Sequence, residues 1–166
     1  MARGVALTSA LLVGVLLLAL PGSAVAAGPC ETNELRLNLS NKTNGPMTLV
    51  RAVHGVTNAW CRREPPKVVV AKSGQYVPVG DNVFGVEAVV TYRLHNGDEV
   101  TFTAQLGFLG FSGAAAGCEF TRVVDSSRPY VCTASADQVT HHGFADNPGG
   151  FDRYAEVFWD VKPKGS

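Results

Sequence analysis

The sequence predicts an all-β fold: a single antiparallel β-sandwich of about eight or nine strands, stapled by disulfides. Three observations predict it. Apolar residues recur with a period of two from Asn33 onward, turn-forming clusters interrupt them at short, regular intervals, and four cysteines are spread along the chain. Helical spacing is hard to find, and neither an internal repeat nor a linker divides the chain, so one domain is expected.

That domain is expected to span residues 27–166. Residues 1–26 read as a secretory signal peptide: Arg3, an apolar run from Val5 to Leu20, a Pro21-Gly22 break, and Ala24-Val25-Ala26 before the cut. The run is short for a retained span, which needs roughly 20 apolar residues. Pro29 ahead of Cys30 excludes a lipoprotein cleavage, which requires a small residue there. The full chain balances 14 Lys and Arg against 14 Asp and Glu; losing Arg3 leaves the domain one negative charge. A balance so close to neutral gives no broad footprint for nucleic acid. The longest apolar run of the domain, Leu106 to Cys118, is broken by Ser112 and several glycines and falls short of a bilayer span. A soluble, secreted, extracellular protein is expected.

The strands follow in order. In "NELRLNLS", Leu35, Leu37 and Leu39 share one face while Arg36, Asn38 and Ser40 take the other. "NKTNGP" supplies a turn, "MTLVRAVH" a second strand, and "WCRREPP" a polar connection whose prolines offer no ladder donors. "KVVVA" and "QYVPVG" read as short strands around Ser73-Gly74. In "GVEAVVTYRLHNGDEVTFTAQL" the apolar residues of both arms fall on even numbers, from Val86 to Leu94 and from Val100 to Leu106. A two-residue Asn96-Gly97 turn would set Leu94 opposite Glu99 and mix the faces. The parity therefore predicts a three-residue loop, His95 to Gly97, with Gly97 left-handed and Tyr92 paired inward with Val100. After "QLGFLGFSGAAAG", read as a glycine-rich loop, "CEFTRVV" and "YVCTA" make a candidate hairpin around "DSSRP". "SADQVTHHGFADNPGG" reads as a long loop. "FDRYAEVFWDV" closes the chain as a strand with Ala155, Val157, Trp159 and Val161 on its apolar face.

Cys30, Cys61, Cys118 and Cys132 form an even set in an exported chain and so read as bridges, with three connectivities open. The hairpin-like segment between the last two favours Cys118 with Cys132, leaving Cys30 with Cys61. A metal site lacks any close Cys-x-x-Cys spacing.

The early strand with "NLSNKTNGPMTL", then "NAWCRREPP" leading to "VVVAKSG", and above all "FGVEAVVTYRLHNGDEVTFTAQ" together resemble the aegerolysins and, more distantly, the actinoporin-like sandwiches. The resemblance covers Leu35 to Leu106. It implies a secreted β-sandwich that recognises lipid head groups at a membrane surface, in aegerolysins often alongside a separate pore-forming protein partner. Two features depart from those patterns: only "AGPCETNE" precedes the first strand, leaving no room for the amphipathic helix with which actinoporins pierce bilayers, and the four cysteines are not an aegerolysin pattern.

Two clusters are candidate lipid- or membrane-binding residues. Phe108, Leu109 and Phe111 at a loop tip would enter the acyl boundary, each apolar side chain gaining about 1.5–3 kcal/mol on leaving water; the competing reading turns them inward to plug one end of the sandwich. Trp60 beside Arg62 and Arg63 suits a phosphate head group, because guanidinium binds phosphate in bidentate fashion and indole favours half-wet positions; its competitor is a Trp packed on a bridge with solvated arginines. His141 and His142 near Asp137, Asp146 and Asp152 have zinc-ligand chemistry but not the i, i+4 spacing of a helical site, so no metal is assigned.

No catalytic signature stands beside these clusters. "GFSGA" is not Gly-x-Ser-x-Gly, and Asp98 and Glu99 face opposite ways on one strand and cannot flank a glycosidic bond. No motif calls for a cofactor. The expected function is a non-enzymatic binding protein whose partner is a membrane lipid or other surface ligand. The alternative is a structural or protein-binding module, such as an inhibitor or cell-wall component.

Overall fold

Alternation of apolar and polar side chains fixes which face of each strand is buried, and in the computed structural model it does so in two sheets. The structure describes residues 33–55, 59–61, 63–81, 85–107, 113–137, 140–141 and 153–166. Eight strands of seven to eleven residues carry the fold among these: β1 (Asn33–Asn41), β2 (Met47–His54), β5 (Ser73–Asp81), β6 (Val86–Leu94), β7 (Glu99–Leu106), β8 (Ala114–Arg122), β9 (Tyr130–Ala136) and β11 (Arg153–Pro163). Three two-residue strands, β3 (Ala59–Trp60), β4 (Val68–Val69) and β10 (Thr140–His141), extend the edges. The first sheet runs β10-β11-β1-β5-β3 with β9 also paired to β11; the second runs β4-β2-β6-β7-β8.

In β1, β5 and β11 of the first sheet the inward residues are odd-numbered. Leu35, Leu37 and Leu39 stand beside Ala155, Val157 and Trp159 on one side, and Leu35 and Leu37 beside Val79 and Val77 on the other, all buried. The β1–β11 pairing is parallel, the remaining described pairings antiparallel. In the second sheet the inward residues of β6 and β7 are even-numbered, as the sequence requires. Val90 faces Phe102, Tyr92 faces Val100, and Arg93 meets Glu99 on the outer face with a 2.8 Å ion pair. The turn is the expected three-residue loop: the Leu94 amide donates to the Asp98 carbonyl at 2.8 Å, and Gly97 has φ of 90°. Tyr92 is fully buried and donates its hydroxyl to the Pro66 carbonyl at 2.9 Å. Burial pushes that phenol up.

Strand β2 does what simple alternation does not foresee. A bulge between Leu49 and Arg51 changes its parity, so that Leu49 pairs with the inward Tyr92 and Ala52 with the inward Val90, while Val50 is left exposed. The two sheets meet in a stack of Phe102 from β7 on Trp159 from β11, ring centroids 5.2 Å apart and planes 20° from parallel. Trp159 Nε1 also donates to the Thr103 carbonyl at 3.2 Å.

Two sequence expectations are corrected. "CEFTRVV" and "YVCTA" are not a hairpin: β8 pairs with β7 and β9 with β11, so the intervening residues cross from one sheet to the other. Cys118 and Cys132 are indeed bonded, and their bridge ties the two sheets together along the β8–β9 side. Cys61 is also disulfide-bonded; Cys30 lies outside the described residues. The "AAAG" part of the glycine-rich stretch is strand rather than loop, Ala114 to Gly117 pairing with Leu106 to Thr103.

The register places the ends of the sandwich. One end, here the proximal end, gathers the start of β1, β6, β8 and β11 and the close of β2, β5 and β7. The distal end holds the β1–β2, β6–β7 and β8–β9 connections, and buried polar side chains lock it. The Asn41 amide reaches the carbonyls of Gly45, Val69 and Val70 at 2.9–3.1 Å, and its oxygen accepts from the Thr43 amide and hydroxyl. Gly45 lies so close to the His95 ring that a Cβ there would overlap it. The Asp98 carboxylate, buried, accepts the amides of Val124 (2.6 Å) and Asp125 (3.0 Å) and the side chain of Asn96 (2.8 Å). Burial opposes its ionisation, but these donors outweigh burial and hold it below the usual carboxylate range.

Replacing Trp159 with Ala removes the inter-sheet stack and leaves a cavity; a loss of about 3–5 kcal/mol is expected in urea unfolding. Replacing Asp98 with Ala removes the charged acceptor of two backbone amides and should cost about 1–3 kcal/mol at pH 7. A carboxyl depressed in the folded state stabilises above its unfolded pKa, near 3.8, and loses that contribution as pH falls through the folded value. Unfolding from pH 7 to pH 2 should therefore show a smaller acid destabilisation for Asp98→Ala than for wild type. Some pH dependence will persist, because Asp125, also depressed chiefly by its Ser127 hydrogen bonds, stays in place.

Candidate functional site

Of the six sequence-derived candidates, Trp60 and Arg63 are among the described residues. Trp60 pairs with Val79 on β3, at the edge of the first sheet. Its ring meets His54, the last residue of β2, edge-on with centroids 5.5 Å apart. An edge residue of one sheet thus touches an edge residue of the other, and the indole is half-buried against the core. The flanks of the β7–β8 connection lie at the proximal end: Leu106 pairs with Val86 and Ala114, and the Gly107 amide donates to the Gly113 carbonyl at 3.5 Å. Phe108, Leu109 and Phe111 themselves lie outside the described residues, as does Arg62.

Arg63 is exposed, and its guanidinium carbon lies 5.9 Å from the centre of the Tyr76 ring. Tyr76 stands on the outer face of β5 and leans toward the proximal end, its hydroxyl donating to Glu34 at 3.2 Å. Burial, and then the Glu34 carboxylate beside it, push this phenol up to about 12.

Arg36 and Arg63 differ in their engagement. Arg36 lies 3.7 Å over the Tyr154 ring, between Glu34 and Glu156 at 3.6 Å each, with Asn38 donating to Glu156 at 2.7 Å. The Arg36 charge is thus balanced by two carboxylates. Arg63 has the Tyr76 contact and no ion pair among the described residues, so its donors remain open to a phosphate or carboxylate.

Trp60 and Arg63 contact different rings. The indole contacts His54 and the core, whereas Arg63 lies over Tyr76. His142, Asp146 and Asp152 lie outside the described residues, and no group of three or more metal-ligating side chains occurs among the described residues. No helix among them is long and apolar enough to cross a membrane. Asn41, within a glycosylation sequon, is fully buried with its amide engaged, which leaves it inaccessible to a glycan.

Sequence reasoning missed a cavity of about 300 Å³ at the distal end, lined by Asp98, Phe120, Val123, Arg128 and Tyr130. Its members come from both sides of the β8–β9 crossing and from the β6–β7 hairpin. The one local signal is "DSSRP", a turn sequence with Arg where the backbone is left-handed, at φ of 46°.

No family model matches the chain, and no curated protein matches it. Among solved structures it is similar to the lipid binding protein Nakanori, at 9% identity with a TM-score of 0.56 over 78% of this chain and 70% of that one. It is also similar to the Xerocomus chrysenteron lectin XCL, at 12% identity with a TM-score of 0.38 over 77% of this chain and 97% of that one. The first likeness is one of fold: the two-sheet sandwich expected from the alternation of the sequence has a solved counterpart.

Proposed function

We propose that the chain is a secreted, non-enzymatic binding protein that attaches to a lipid membrane surface through the proximal end of the sandwich. The observation that carries this reading is the register, which brings β3 with its half-buried Trp60 to the same end as the strand ends flanking residues 108–112. Arg63, without an ion pair, lies on the adjoining outer face. In this reading Phe108, Leu109 and Phe111 enter the acyl boundary, Trp60 sits at its wet margin, and Arg62 and Arg63 meet lipid phosphates. The apolar residues supply most of the affinity and the guanidinium groups bring the end to the surface. The fold shared with a lipid binding protein supports the reading. So does the resemblance to aegerolysins, which extends it to action beside a separate pore-forming protein.

Flotation on phosphatidylcholine vesicles with and without phosphatidylserine tests the proposal. Wild type is expected to float with the vesicles, and more so when they are anionic. Phe108→Ser/Phe111→Ser should bind at least about tenfold more weakly, two ring insertions being worth several kcal/mol. Arg63→Ala should lose about fivefold on anionic vesicles, with little change on neutral ones. Wild type left at the bottom of the gradient, or equal flotation of the double variant, overturns the reading and favours the structural or protein-binding module.

A further inference from the structure

The distal cavity lies where the chain crosses between the sheets, and its shape is set by covalent and polar ties. The Cys118–Cys132 bridge closes the ring of chain that carries Phe120, Val123, Arg128 and Tyr130. Asp98 anchors the same segment through the amides of Val124 and Asp125. Tyr130 is fixed by its hydroxyl, 3.0 Å from His95 Nε2, and by edge-on contact with the His95 ring. At about 300 Å³ the cavity is within the range that holds a small ligand.

An inventory of donors and acceptors decides what that ligand must bring. Asp98 already accepts three N–H groups. Asp125, close enough to act on Tyr130, accepts the Ser127 amide at 2.9 Å and hydroxyl at 2.6 Å. Both carboxylates are thus engaged within the loop. Arg128 is not: its amide donates to the Asp125 carbonyl, but its guanidinium makes no hydrogen bond or ion pair among the described residues. It is also held at φ of 46°, where glycine would be less strained. What the cavity offers is an exposed arginine with unengaged N–H donors in the same lining as two rings, Phe120 and Tyr130.

We propose that this cavity binds a small ring-bearing carboxylate, the acid group on the Arg128 fork and the ring against Phe120 and Tyr130. A guanidinium meets a carboxylate with two parallel hydrogen bonds, and a flat or chair-shaped ring of six atoms covers an aromatic wall. Aryl acids and acidic sugars both carry this chemistry. The site stands at the far end of the sandwich from the proposed membrane contact and does not depend on it.

Ligand-observed NMR titration of the full chain with benzoate, glucuronate, acetate, benzyl alcohol and benzylamine tests the proposal. Saturable binding of benzoate or glucuronate is expected, at least about tenfold tighter than acetate, benzyl alcohol or benzylamine; which of the two binds tells an aryl acid from an acidic sugar. Arg128→Gly suits the left-handed backbone, so it should melt at the wild-type temperature or above while losing binding at least about tenfold. Arg128→Asn, which also tolerates that backbone, should lose binding equally and serves if the glycine variant does not fold. Binding of neither acid overturns the site. So does acetate binding as well as benzoate, which marks an adventitious anion only, or an undiminished affinity in the Arg128 variants.

Discussion

The stack of Trp159 on Phe102 is the contact on which the rest of the molecule depends. Trp159 belongs to the first sheet and Phe102 to the second, both fully buried, so this is the place where two half-hydrophobic layers become one core. Each ring faces inward because of parity: odd positions in β11, even positions in β7. A one-residue slip in either strand would send its ring to solvent together with every inward neighbour on that strand. The Trp159 indole adds a directional tie to the Thr103 carbonyl, fixing one sheet against the other along the strands as well as between the layers.

Parity also explains how the irregularities are used. The bulge in β2 at Val50 shifts that strand from odd to even inward positions, letting both Leu49 and Ala52 face the core while the extra residue is turned out. A second shift, between the Glu99–Arg122 and Val100–Phe120 pairs, keeps Phe120 inward beside Val100 and brings Arg122 out to Glu99. Among the described residues no ladder joins β8 to β9. The Cys118–Cys132 bridge links these two neighbouring strands of different sheets, and it does so next to Phe120 and Tyr130, where the distal cavity opens.

How much of this was legible in the sequence depends on the distance over which each interaction acts. The β6–β7 hairpin, its three-residue turn and left-handed Gly97 follow from alternation alone, because both arms lie within 21 residues and their parities must agree. The inward leucines of β1 and the apolar face of β11 are read in the same way. Sheet membership is not: "CEFTRVV" and "YVCTA" alternate as a hairpin would, and the choice to cross between sheets is made by partners remote in sequence, β7 for one and β11 for the other. The bulge at Val50 leaves no mark that alternation could reveal. Asp98 reads as an ordinary strand residue beside Glu99 until Val124 and Asp125, more than 25 positions away, bring their amides to it. Trp60, Arg62 and Arg63 stand out by residue type. That Trp60 packs on His54 while Arg63 lies over Tyr76 is a matter of the assembled sheets.

The same physics separates structural polar groups from those open to a ligand. Where a polar side chain has its hydrogen-bonding capacity filled from within, it holds the fold: Asn41 with three carbonyls, Asp98 with three donors. Arg63 and Arg128 stand apart from these, each without an ion pair among the described residues, the one over the Tyr76 ring and the other in a cavity lining that includes Phe120 and Tyr130. An unengaged guanidinium in water is ordinary, since surface charges contribute little to stability. A guanidinium set beside aromatic rings is different, because an incoming anion finds a planar donor array next to an apolar wall. The sandwich thus carries two arginines without an ion pair among the described residues, one over a tyrosine on an outer face and one in the lining of the distal cavity. The difference between them comes from the backbone, which leaves Arg63 on an open edge and holds Arg128 inside a disulfide-closed ring.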